Sequence, residues 1–318
     1  MRQIIFLSVT VFAAACGGMA ANQNIPANTV VANAVNALPD SPARKPDTEL
    51  QKQIETIAAE AKGKVGVYAT LIETGETVSL NGEERFPMQS VYKLPIAMAI
   101  LKQVSDGRLK LDGKVRVEKT DFVTPGQRSP IRDKYPNGTE ITLRELIRLS
   151  ISESDGTASD VQLRLLGGAA AVQEYLTEIG IADIKVVNTE KEFAQDWQTQ
   201  YNNWATPAAA VKLLSGMNNW TIIEREGRIL QRYMIESPTG LKRLKGFLPK
   251  GTVVIHKTGT SGSRDGITAA TNDIGIIVLP NVKHAAIAVF VSDSPESEQI
   301  REAVIAKIAK AVWDKWGK

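Results

Sequence analysis

The chain has 318 residues, 43% of them hydrophobic and 23% charged, with a formal net charge of +3. That length and apolar content can bury a large core, in one large domain or two interleaved lobes. The small net charge, with no stripe of basic and aromatic side chains, argues against a nucleic-acid partner, and a single cysteine, Cys16, excludes an intramolecular disulfide.

The chain starts with Met1-Arg2 and an apolar run from Ile4 to Ala15. The run is too short to span a bilayer as an ordinary helix and fits the apolar region of an export signal over residues 1–15. Ala13-Ala14-Ala15-Cys16 has the form of a lipoprotein signal, so Cys16 is a candidate for lipidation and a membrane anchor. Plain cleavage after Ala15 or Ala21 is the alternative. Residues 16–46 are rich in Ala, Asn, Val and Pro without a period and read as a flexible linker.

Asp47 to Gly63 predicts the first helix, with Asp47 as cap and Leu50, Ile54, Ile57, Ala58 and Ala61 on one face. Lys64–Ile72 and Thr77–Leu80 predict a hairpin turning at Thr74-Gly75. From Ser90 to Met234 the pattern is mainly helical, with a capping box at Thr142 and Glu145 and a break at Gly167-Gly168. Asn188 to Pro207 has little period, and so long a loop in a compact domain is usually functional. Strands follow at Thr252–Lys257, Thr268–Leu279 and His284–Val291, and Ile300, Val304, Ile308 and Val312 mark a closing helix. The expected fold is therefore α/β (α+β). A five-stranded antiparallel sheet with its terminal helices (residues 47–87 and 235–318) joins an all-helical lobe (88–234), with a site in the cleft between them.

Two short motifs carry the chemistry: Ser90-Val91-Tyr92-Lys93, and Lys257-Thr258-Gly259-Thr260-Ser261-Gly262. A serine hydroxyl needs a base to become a nucleophile. The two histidines serve poorly: His284 starts a strand, and His256 alternates with Lys257 and so faces the other way. Lys93, one turn from Ser90, is the better base, with burial and the second cation Lys257 lowering its proton affinity. Lys257 and Thr258 can hold a substrate carboxylate, and Gly259 lets a ligand approach the backbone. The amides of Ser90 and Thr260 can face a developing oxyanion. Ser154, in Ser154-Asp155, can pass a proton to a leaving nitrogen.

With these motifs in this order, together with Phe86-Pro87-Met88-Gln89 and Thr268-Ala269-Ala270-Thr271-Asn272-Asp273, residues 48 to 317 resemble a class A serine β-lactamase. The PER-type extended-spectrum enzymes are especially similar. The resemblance implies the serine β-lactamase and penicillin-binding-protein fold, a β-lactam substrate, a periplasmic location, a monomer, no cofactor and no metal. It implies a loop glutamate that activates the deacylating water; Glu190 is the match, with Glu192 as rival. It makes Arg243 a substrate-carboxylate residue and places Thr260, Ser261 and Gly156 in the substrate site.

Three departures accompany the resemblance. Gly156 stands where the family usually has an asparagine that meets the substrate's acylamide. Ala194 stands where many relatives have an asparagine that helps hold the water. Asn188 and Asn203 bracket the loop in place of an arginine–aspartate pair, which PER-type relatives also lack, and the roomier loop of those relatives favours bulky cephalosporins. Two other functions stay open: a D-alanyl-D-alanine peptidase or penicillin-binding protein, and a β-lactam sensor that acylates and stops.

Overall fold

The computed structural model describes residues 48–219 and 227–318. Cys16, Asp47, and the segments read as signal and linker lie outside the described residues. Helix α1 (Thr48–Ala59) buries Leu50, Ile54 and Ala58, one turn apart, against the sheet. Strands β1 (Lys64–Leu71) and β2 (Glu76–Leu80) form the expected hairpin. Gly75 takes φ 71° in its turn and bonds the Leu71 carbonyl at 2.8 Å.

The helical lobe is built around α2 (Lys93–Ser105), in which every residue from Lys93 to Leu101 is buried. A helix that is apolar all round has to be covered on all sides. Helices α3 (Leu143–Ile151), α4 (Gly156–Leu166) and α5 (Ala169–Glu178) pack on it. Helix α6 (Pro207–Asn218) lies on the sheet, and α7 (Gly227–Ile235) packs on α3. Only half of the expected capping box forms: Thr142 accepts the Glu145 amide at 3.2 Å, but the Glu145 carboxylate pairs with Arg148 at 2.8 Å.

The sheet is completed by β3 (Val254–Thr260), β4 (Ile267–Val278) and β5 (His284–Ser294), and the described chain closes with α8 (Glu298–Trp316). Its order is β2-β1-β5-β4-β3, antiparallel throughout. Side chains alternate along β5: Val289 and Val291 face the core under α1 and α8, while Ala288 and Phe290 face the core shared with α2 and α6.

Two details correct the expected architecture. Ser263–Arg264 adds a sixth, two-residue strand beside β4. The lobe expected to be all helical holds small sheets: Lys114–Val117 pairs with Thr139–Thr142, and Trp204–Ala205 lies between Phe86–Pro87 and Ile184–Lys185. Strands this short have no period to read, and partners far along the chain create them.

Candidate active site

Ser90 sits in a single 3₁₀ turn, Gln89–Tyr92, that runs directly into α2. Gln89 precedes it with φ 48°, a conformation that costs a non-glycine residue on the order of 1–3 kcal/mol. Tertiary bonds hold it there. The buried Gln89 amide donates to Gln200 Oε1 at 2.7 Å, and Asn272 Nδ2 in β4 donates to the carbonyls of Pro87 and Met88 at 2.8 and 3.1 Å. Lys93 opens α2, 1% exposed.

Strand β3 supplies Lys257, Thr258, Gly259 and Thr260, paired in register with Ile274 to Thr271 of β4. The strand does not stop at the cation, as the sequence suggests, but continues through Thr260. Gly259 also has a packing reason. A Cβ there would stand 2.2 Å from the Met88 carbonyl oxygen, so the glycine lets the Ser90 turn lie against the strand. His256 faces the opposite side of β3, where its Nδ1 lies 2.9 Å from Asp273 Oδ2.

Ser154 joins the two lysines. Its carbonyl accepts from Lys93 Nζ at 2.8 Å and its hydroxyl from Lys257 Nζ at 3.1 Å. Its φ of 59° turns it out of the chain just before α4, and the buried Asp155 carboxylate holds the turn. That carboxylate accepts the amides of Ala158 and Ile131 at 3.0 and 2.7 Å. Burial, and then the Lys93 charge, hold the Lys257 ammonium well below the usual lysine range.

The Asn188–Pro207 segment folds over this floor. Asn203 accepts the amides of Val187 and Asn188 at 2.7 and 2.9 Å and donates to the Asn188 carbonyl at 2.8 Å. The clasp brings the short helix Glu190–Phe193 to the cleft, where Phe193 packs edge-on to Tyr92. Glu190 and Glu192 have separate environments. Glu192 closes a capping box, its carboxylate accepting the Thr189 amide at 2.7 Å. Glu190 Oε1 lies 2.7 Å from Lys93 Nζ.

A cleft of about 470 Å³ thus brings together Ser90, Lys93, Ser154, Glu190, Thr258 and Thr260. Ser261 also lines it, but its hydroxyl is committed to the Gly262 carbonyl at 2.8 Å and the Ala270 amide at 2.8 Å. Arg243 is 3% exposed, and its guanidinium donates to the carbonyls of Gly259 and Asn272, to Thr260 Oγ1 at 2.8 Å, and to Glu302. Gly156 packs on Glu190, where a Cβ would stand 3.1 Å from Glu190 Cγ.

Sequence reasoning passed over several residues that shape the cleft. Asp160 accepts the amides of Glu190 and Lys191 at 2.9 and 3.1 Å, and burial pushes its carboxyl up to about 7. Thr239 bonds both Ser237 and Thr258, at 2.9 and 2.8 Å, making a file of hydroxyls that ends in the cleft wall. Gln127 reaches Glu190 from the loop before Ser129. None of these positions has a motif. Their one sequence signal is a polar residue inside an otherwise buried or loop-bound segment.

A family model described as the β-lactamase enzyme family matches residues 49–316. β-Lactamase VEB-1 of Pseudomonas aeruginosa is 40% identical over 268 residues, which cover 83% of this chain and 89% of that protein. The extended-spectrum β-lactamase PER-1 of the same species is 42% identical over 267 residues, covering 83% and 86%. The crystal structure of a β-lactamase from Chitinophaga pinensis superposes with a TM-score of 0.82 at 43% identity, covering 84% of this chain and 99% of that one. That of TLA-3 extended-spectrum β-lactamase gives 0.83 at 43% identity, covering 85% and 99%.

Proposed function

Since this chain belongs to the β-lactamase enzyme family, among its class A members, we propose that it opens the β-lactam ring through an ester on Ser90 and hydrolyses that ester with water activated by Glu190. The observation that carries the reading is the placing of Glu190 Oε1 2.7 Å from Lys93 Nζ, in the cleft that also holds Ser90. Penicillin-binding proteins lack a glutamate on this loop, so the carboxylate supports hydrolysis over acylation alone.

In acylation, Ser90 Oγ bonds to the lactam carbonyl carbon. Its proton leaves to Lys93, or to Glu190 through a water. The amides of Ser90 and Thr260 receive the oxyanion. The C–N bond then breaks, and the ring nitrogen takes a proton through Ser154, whose hydroxyl Lys257 holds at 3.1 Å. In deacylation, Glu190 takes a proton from water as its oxygen bonds to the ester carbonyl carbon. Ser90 Oγ leaves and recovers a proton.

The substrate carboxylate is assigned to the hydroxyls of Thr258 and Thr260 with Lys257 behind them. Arg243 acts through Thr260, to which it is already bonded. Penicillins and cephalosporins are the substrates of this reading, in keeping with the relatives named extended-spectrum, and hydrolysis of either drug class confers resistance. Export with a periplasmic location, cleavage or lipidation at Cys16, and a monomeric state complete the reading.

Nitrocefin turnover with intact-mass analysis tests it. The parent protein should turn over without a lasting adduct, and Glu190→Ala should accumulate the Ser90 ester. Full turnover by Glu190→Ala would remove Glu190 from the role.

A further inference from the structure

Gly156 and Ala194, where the resemblance to class A enzymes implies asparagines, bring no side-chain amide to the cleft. A carboxamide reaches Glu190 all the same, from another loop. Gln127 Nε2 donates to the main-chain carbonyl of Glu190 and lies 3.5 Å from Glu190 Oε2. The opposite end of the same amide is fixed: Gln127 Oε1 accepts from the Thr124 amide at 3.1 Å and from the Thr124 hydroxyl at 3.0 Å. With its oxygen so engaged, the amide has its two hydrogens facing Glu190.

The loop that carries Gln127 is itself tied down. Arg132 donates to the carbonyls of Val123, Thr124 and Gln127 at 3.1, 2.7 and 3.1 Å. The Gly156 amide bonds the Arg128 carbonyl at 2.9 Å, which joins this loop to the Ser154 turn. Glycine at 156 also leaves space, since a Cβ would press on both Glu190 Cγ at 3.1 Å and the Arg128 carbonyl oxygen at 3.3 Å. The Glu190 side chain therefore has Lys93 Nζ on one oxygen and the Gln127 amide near the other.

We propose that Gln127 is a positioning residue for deacylation, which steers the Glu190 carboxylate toward the ester in a site where Ala194 offers no side-chain amide to help hold the water. The inference rests on Glu190 being the group that activates water. Gln127→Glu keeps the shape and the acceptor for Thr124, removes the donated hydrogens and sets a second carboxylate beside Glu190, which should turn the Glu190 carboxylate away. Gln127→Met removes both the acceptor and the donated hydrogens.

In each variant, kcat and KM for nitrocefin should fall together by about tenfold, the loss expected for a hydrogen bond to a charged group. The ratio kcat/KM, which reports acylation, should stay within about twofold of the parent. Intact-mass analysis at steady state should show the Ser90 ester. A fall in kcat/KM as large as that in kcat, with no adduct, would assign Gln127 a merely structural role and overturn the inference, as would parent-like deacylation in Gln127→Glu. If Glu190→Ala traps the ester and Gln127→Glu does not, the inference alone fails. If Glu190→Ala turns over freely, the Glu190 reading fails and takes the inference with it.

Discussion

The Lys257 ammonium lies 3.1 Å from the Ser154 hydroxyl oxygen, fully buried, and its other bond is to the neutral Thr258 carbonyl. Burying a cation on neutral partners costs stability, and sites that need such a group accept the cost. Lys257→Met should therefore keep or raise Tm, while nitrocefin kcat/KM falls by about 100-fold or more through loss of the charge facing Ser154 and the substrate. A lowered Tm with retained activity would show that Lys257 is structural.

Gly259→Ala should damage the site from behind. The new Cβ would stand 2.2 Å from the Met88 carbonyl oxygen, a backbone atom two residues before Ser90. The turn has to lift off β3, at a cost of about 1–3 kcal/mol. Urea denaturation should show that loss and acylation should slow with it. Unchanged acylation would mean that the turn absorbs the methyl group elsewhere.

Asn203→Ala should open the loop. Asn203 is buried, and its removal leaves the Val187 and Asn188 amides without their partner. The expected destabilisation is about 2–4 kcal/mol. Amide hydrogen exchange should rise across residues 188–203 ahead of the rest of the chain, and Glu190-dependent deacylation should slow. Uniform exchange across the fold would contradict a local clasp.

The Asp160 carboxyl gives a pH signature. Burial raises it from the ordinary aspartate value of 3.8 to about 7 in the folded chain. Between those values the folded state holds a proton that the unfolded state has lost, so stability falls as pH rises from about 4 to about 7 and then levels. Asp160→Asn removes that contribution. The stability of the parent relative to Asp160→Asn, from urea melts at pH 5 and pH 8, should be smaller at pH 8. An equal difference at both pH values would rule out a proton held by Asp160.

Much of the fold is legible in residue periods. The spacing of Leu50, Ile54 and Ala58, and of Val304, Ile308 and Val312, marks the helices that cover the sheet. The alternation of β5 marks its two faces. The two-residue strands at Phe86, Ile184 and Trp204 were not legible, because they exist through partners distant in sequence. Glu190 and Glu192 could not be told apart in the chain either. Their difference is the Thr189 cap on one and Lys93 against the other.

By itself the sequence determined the candidate groups and their order: Ser90 one turn before Lys93, Ser154 ahead of a helix, Lys257 to Thr260 on a strand. Such features are local, because backbone period and side-chain type act over a few residues. The tertiary structure decided where each charge and each donor ends. It placed Lys257 on Ser154, Arg243 behind Thr260, Met88 against Gly259 and Gln127 beside Glu190. Those relations depend on burial and on hydrogen bonds between segments far apart in the chain, and no local pattern encodes them.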